Sequence, residues 1–231
     1  MTLFNHIIQL GKLITAPTDW YKVVSSRYLT FPTPTYTRSN FTAITIEWKS
    51  DSFNIPFSNG DLFSFDVSSG NEPIRGVVFG VGQLQPTITA STTARVFPTY
   101  QIIDNNNVWM HYALALYPNP SNLCIEFYRN GSLLNRQFLS ISNMRASNAS
   151  LFLGHRRGIT TDNRIDYRIS DFRIWNLRRT QTQIADNMDD ILAGQDTGLI
   201  SRWLFDEGTG TTATNTGGGS NGTVNASDWN I

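Results

Sequence analysis

Residues 170–184 read SDFRIWNLRRTQTQI, and the period of this stretch changes halfway along. Phe172 and Ile174 alternate with charged neighbours, the pattern of a half-buried strand. From Thr180 the apolar residues fall at Ile184, Met188, Ile191 and Leu192, which is one face of a helix. Thr180 and Gln183 form a T-x-x-Q capping box, which satisfies orphan amide donors at a helix start. Gly194 is placed to end the helix in a left-handed conformation. The expectation is one short helix that turns Ile184, Met188 and Ile191 inward and covers an open end of a β structure.

On either side of this stretch the pattern is strand after strand. Ile44, Ile46 and Trp48 alternate in FTAITIEWK, as do Phe63 with Phe65 and Val77 with Phe79. WMHYALALY (109–117) is apolar on both faces, so it belongs in the middle of a sheet. CIEFYRNGSLLNRQFL (124–139) is a hairpin, because Asn130-Gly131 supplies the positive φ angles of a tight primed turn. LFLG (151–154), YRISDFRIW (167–175) and LISRWLF (199–205) follow, and the loop TGGGSNG precedes a last short strand. A dozen or so strands without βαβ alternation predict two packed antiparallel sheets.

The 231 residues are 40% hydrophobic and 16% charged, enough apolar material for one large core under a surface of Thr, Ser and Asn. Eighteen basic and eighteen acidic residues give no net charge, so nucleic acid and anionic membrane are not expected partners. The lone Cys124 lies in an apolar run and reads as a buried thiol. Residues 1–19 form an apolar arm in which Phe4, Ile7, Ile8 and Leu13 roughly follow helical spacing up to Pro17. Asn5, His6, Gln9 and Lys12 interrupt it, so it reads as neither a signal peptide nor a membrane span. Together with Trp20, its apolar residues are candidates for gripping a partner. The N-x-S/T triplets at Asn40, Asn130, Asn148, Asn221 and Asn225 are better explained by composition.

In order along the chain, FTAITIEW, VWMHYALALY, IEFYRNGSLL, ASLFLGHRRG, RISDFRIWNLRRTQTQI and GLISRWLFDEGTGTTATN resemble the laminin-G-like, concanavalin A-like jelly rolls. The resemblance spans most of residues 40–225 and implies an all-β, two-sheet antiparallel jelly-roll sandwich over residues 20–231. It also implies that the helix is a structural cap. Many members of that family open with an acidic D-G-x-D-D turn that helps hold calcium, where RYLTFPTPTYTRSN has no carboxylate. Asn215 stands where a later turn of the family has Asp. Calcium wants carboxylates among its six to eight oxygen ligands, so no cofactor or metal is expected. Asp206 is the one residue left that would contribute to such a site.

Retaining glycosidases of related folds carry an E-x-D-x-E strand, whose alternate carboxyls stand about 5–5.5 Å apart. Here Glu47, Glu72, Glu126 and Glu207 each lack a carboxylate two residues away, and no enzyme activity is expected. His6, His111 and His155 are scattered, and His111 reads as a satisfied core histidine. Sugar sites combine an aromatic face with planar polar groups on rim loops. The candidates are Asp104 and Asn106 in DNNN, Tyr117 and Asn119 in YPNPSN, and His155, Arg156 and Arg157 in GHRRG. The sequence thus points to a non-enzymatic structural or decoration protein of a larger assembly, foremost a phage virion surface protein in capsid or tail, with affinity for glycans. It would be assembled in the host cytoplasm as a homo-oligomer or beside other virion subunits. The alternative is a free-standing, extracellular carbohydrate-binding or adhesion module that uses its rim loops.

Overall fold

A computed structural model describes residues 17–23, 29–32, 42–54, 60–65, 74–79, 83–90, 93–96, 100–101, 108–140, 150–154 and 166–229. In chain order its strands are β1 (Tyr21–Val23), β2 (Leu29–Pro32), β3 (Ile44–Asn54), β4 (Gly60–Phe65), β5 (Ile74–Phe79), β6 (Gln83–Ala90), β7 (Thr93–Val96) and β8 (Tyr100–Gln101). They continue as β9 (Met110–Asn119), β10 (Asn122–Arg129), β11 (Ser132–Ser140), β12 (Ser150–Leu153), β13 (Asp166–Trp175), β14 (Leu199–Trp203), β15 (Thr212–Ala213) and β16 (Gly222–Thr223). One helix, α1 (Gln181–Asp186), separates β13 from β14.

The strands form two antiparallel sheets. A seven-stranded sheet runs β1-β13-β3-β9-β10-β11, with β14 also paired to β13. A nine-stranded sheet runs β15-β16-β2-β12-β4-β5-β6-β7, with β8 on β6. This is the expected sandwich. Between the sheets, Ile46, Trp48, Leu114, Phe127 and Phe172 of the first meet Phe31, Phe63, Phe65 and Leu151 of the second. Aromatic edges lock the layers together. Trp48 lies 5.1 Å from Phe63, and Trp203 lies 4.9 Å from Phe31, centroid to centroid.

One edge of β13 is shared end to end by two strands. β1 pairs with its first half and β14 with its second. Between them the register against β3 slips, and Asp171 takes a positive φ of 54°. Tyr21 on β1 also bridges to Trp229, while its hydroxyl donates to the carbonyl of Asn225.

The hairpin between β10 and β11 turns at Asn130 and Gly131, with φ of 47° and 73°, as the Asn-Gly pair predicts. Gly131 is required twice, because a Cβ there would stand 2.6 Å from the Cβ of Ala185 on α1. Gly131→Val is therefore expected to cost about 2 kcal/mol, from backbone strain and displacement of α1. Urea unfolding of the two proteins measures the difference.

Two expectations need correction. The alternation in β13 suggested a solvated outer face, yet Arg173 and Asp171 are buried. Segment 176–198 lies over the outer face of the seven-stranded sheet, where Ile184 packs on Ala113, Ala115 and Tyr128. The helix thus covers a sheet face rather than an open end. It is also shorter than its apolar spacing implied, because buried cations from the sheet capture the carbonyls of the chain beyond it. Arg173 Nη1 donates to the carbonyl of Asn187 at 2.6 Å, and Lys49 Nζ to that of Asp189 at 2.9 Å. The capping box is present as expected, but Met188 lies past the helix, where it packs on Trp109, and Leu192 is exposed. Gly194 has the left-handed φ of 77° that its position suggested, in a turn beyond the helix rather than at its end.

Candidate functional site

The chemistry-bearing side chains of the seven-stranded sheet gather under segment 176–198. Glu47 on β3 is fully buried at the centre. His111 Nε2 lies 3.3 Å from Glu47 Oε2, Arg173 Nη1 3.5 Å from the same oxygen, and Arg179 Nε 3.6 Å from Oε1. Burial holds the His111 imidazole below its usual range despite its hydrogen bond to Glu47, so it is neutral near pH 7. A carboxylate oxygen only accepts, which puts the His111 proton on Nε2. Arg179 stacks on Trp175 with its guanidinium carbon 3.8 Å from the ring centroid, and it donates to the carbonyls of Gln183 and Gln195.

Asp171 sits at the bulge between two arginines that face each other across β13 and β14, Arg173 and Arg202. Like charges opposed in a sheet repel, and the Asp171 carboxylate bonds to both guanidinium groups. Burial alone would raise its pKa, but the charge of Arg173 and the hydrogen bonds from both arginines hold it well below the usual carboxylate range.

Another buried carboxylate, Glu126 on β10, accepts from Tyr128 at 2.8 Å, Tyr117 at 3.0 Å and Arg136 Nε at 2.7 Å. Arg178 adds a contact at 3.2 Å and stacks on the Tyr117 ring at 4.0 Å. Burial pushes Glu126 up, and the hydrogen bonds from Tyr128, Arg136 and Tyr117 outweigh it, leaving its pKa lowered. Asp171 and Glu126 thus both have folded pKa values below their unfolded ones. Their stabilisation is therefore complete above about pH 4.5, the ordinary carboxyl range, and is lost as pH falls through and below it. Urea unfolding at neutral pH and at about pH 3 is expected to show this loss, and Asp171→Asn is expected to flatten the acid limb.

Beside the Asp171 bulge lies a cleft of about 560 Å³. Lys49, Ser170, Asp171 and Arg202 line its floor, while Asp19, Asp189, Asp190 and Asp206 stand around it. Lys49 is only 6% exposed, and burial lowers its pKa against the opposing charge of Asp171. Arg202 also reaches the exposed Asp190 at 3.1 Å.

Of the residues singled out from the sequence, Tyr117 is half-buried in the Glu126 cluster and Asn119 is exposed at the end of β9. Asp206 is exposed at the cleft. Among the described residues no three His, Cys, Asp or Glu side chains group so as to hold a metal. Asp104, Asn106, His155, Arg156 and Arg157 lie outside the described residues, as do Phe4, Ile7, Ile8 and Leu13 of the arm. Trp20 packs with Trp109 and Met188, with Arg168 over its ring at 4.9 Å. Trp229 is buried edge-on to Tyr21. Asp189 and Asp190 follow α1 and line the cleft.

Asn215 uses its whole carboxamide. Its Oδ1 accepts from Gly217 N at 2.8 Å and Arg202 N at 3.2 Å, and its Nδ2 donates to the Ser220 carbonyl at 3.1 Å. An aspartate would lack that donor. Sequence reasoning passed over Lys49, Ser170, Asp171 and Arg202. Their alternation with apolar residues is the pattern of a solvated face, and only the strand pairing brings them together.

The sequence model described as the concanavalin A-like lectin/glucanases superfamily matches residues 24–185, and the chain belongs to that superfamily. No characterised protein sequence matches the chain. Among solved structures, the fold is similar to a putative carbohydrate binding protein from Bacteroides ovatus, with a TM-score of 0.62 and 17% identity over 90% of this chain and 58% of that one. It is also similar to the native heptameric SAP-like pentraxin from Limulus polyphemus, with a TM-score of 0.55 and 14% identity over 72% of this chain and 80% of that one. A third similar fold is the receptor binding domain of botulinum neurotoxin C/D mosaic serotype, with a TM-score of 0.58 and 12% identity over 76% and 43%. The match spans most of the pentraxin but less than two thirds of the other two chains.

Proposed function

We propose that the chain is a non-enzymatic carbohydrate-binding module. The superfamily holds both lectins and glucanases, and one observation favours the lectin side. Each buried carboxylate of the seven-stranded sheet lies against an internal cation: Glu47 against Arg173 and Arg179, Asp51 against Arg168, Glu126 against Arg136, and Asp171 against Arg173 and Arg202. A glycosidase needs one carboxyl free as nucleophile or base and another as acid, and each of these four is already engaged by an arginine. The likeness to a putative carbohydrate binding protein supports the same side. On immobilised polysaccharides the chain is expected to be retained and to release no reducing ends. Release of reducing ends that disappears in Glu126→Gln would overturn the reading.

A second reading places this module as a surface part of a larger assembly, with a phage particle as the setting its sequence suggests. Strand β11 is the last of its sheet among the described residues and carries Phe138, which is 52% exposed. A pentraxin of similar fold is heptameric. Light scattering of the full-length protein is expected to give an oligomer, and a monomer at every concentration tested would end this reading.

A further inference from the structure

We infer that the cleft beside the Asp171 bulge is a saccharide subsite that takes a neutral hexose unit, its floor supplying hydrogen-bond donors and its rim supplying acceptors. This rests on the carbohydrate-binding reading above and gives it a location that the rim loops did not suggest.

The lining selects the ligand. On the floor, Lys49 Nζ gives one hydrogen bond, to the Asp189 carbonyl, and keeps at least one further N–H. Ser170 Oγ, 3.4 Å from the Leu204 carbonyl, adds a hydroxyl that also accepts. Around them stand the carboxylates of Asp19, Asp190 and Asp206, all exposed. An anion is repelled by that rim. A cation meets Lys49 and Arg202 below. An apolar ligand finds only Pro17 and Leu204 to cover it. A sugar hydroxyl both donates and accepts, so one ring can give its protons to the carboxylates while accepting from Lys49 Nζ. The volume of about 560 Å³ is in the range of small-ligand sites. Hydrogen bonds to ionised partners are the stronger kind, which compensates for the missing aromatic platform.

The test is an NMR titration of the full-length protein with neutral trisaccharides of glucose, mannose and galactose, alongside sialyllactose and chitosan trimer as anionic and cationic members. At least one neutral sugar is expected to shift the amides of Ser170, Asp171, Arg202 and Asp206. Raising salt from about 50 to about 500 mM should leave that affinity unchanged, because no net charge is buried against charge. Asp19→Asn with Asp206→Asn, both surface positions, should weaken it by about tenfold through loss of charged acceptors. Sugar shifts confined to another surface, or an unaffected double variant, would overturn the subsite and leave the carbohydrate-binding reading standing. Binding of charged members alone would overturn the neutral ligand. Binding of no member would overturn both readings.

Discussion

Arg173→Leu is expected to destabilise the protein by about 3–5 kcal/mol, the usual result of removing one partner from a buried charge cluster. Arg173 is 1% exposed and touches three groups at once: Asp171, Glu47 and the Asn187 carbonyl. Leucine fills part of the volume but leaves the Glu47 carboxylate with His111 and Arg179 alone, and Asp171 with Arg202 alone. It also releases the segment beyond α1 from the sheet. A fall in midpoint of about 10 °C in a thermal melt corresponds to that loss for a chain of this size. Hydrogen exchange should show residues 187–195 opening first. If the melt is unchanged, the cluster is not held together as described.

Trp203→Ala is expected to cost a similar amount, about 3–5 kcal/mol, for a different reason. Trp203 is fully buried on β14 and fills the space between the sheets, with Phe31 at 4.9 Å and Phe172 at 6.4 Å. Truncation leaves a cavity bounded by aromatic rings on strands of both sheets, which cannot all close in. Trp203→Phe keeps an aromatic contact with Phe31 and should recover more than half of the loss. Urea midpoints of the three proteins decide the matter, and equal midpoints for alanine and phenylalanine would show that the ring contacts contribute little.

The residues that announced the sandwich were the apolar alternations around Ile46, Leu114, Phe172 and Trp203 and the Asn130-Gly131 turn, because each is a local signal. The Thr180–Gln183 box is local too, and it marks the helix start in the structure as in the sequence. The helix end was not legible, since it depends on Lys49 and Arg173, which lie 140 and 14 residues from the carbonyls they capture. The cleft was illegible for the same reason. Asp19, Lys49, Ser170 and Asp206 meet only once β1, β3, β13 and β14 are in register. Charged residues that alternate with apolar ones look identical whether water or a covering segment lies above them.

The junction of Tyr21 with Asn225 and Trp229 has a bearing on the order of folding. The hydrogen bond from Tyr21 spans 204 residues of chain, so loop closure over nearly the whole domain precedes it. During synthesis the bridge from Tyr21 to Trp229 cannot form until residue 229 has emerged. A ribosome paused anywhere before residue 225 therefore holds a domain with an open edge, and this junction is where strand exchange between nascent copies would begin.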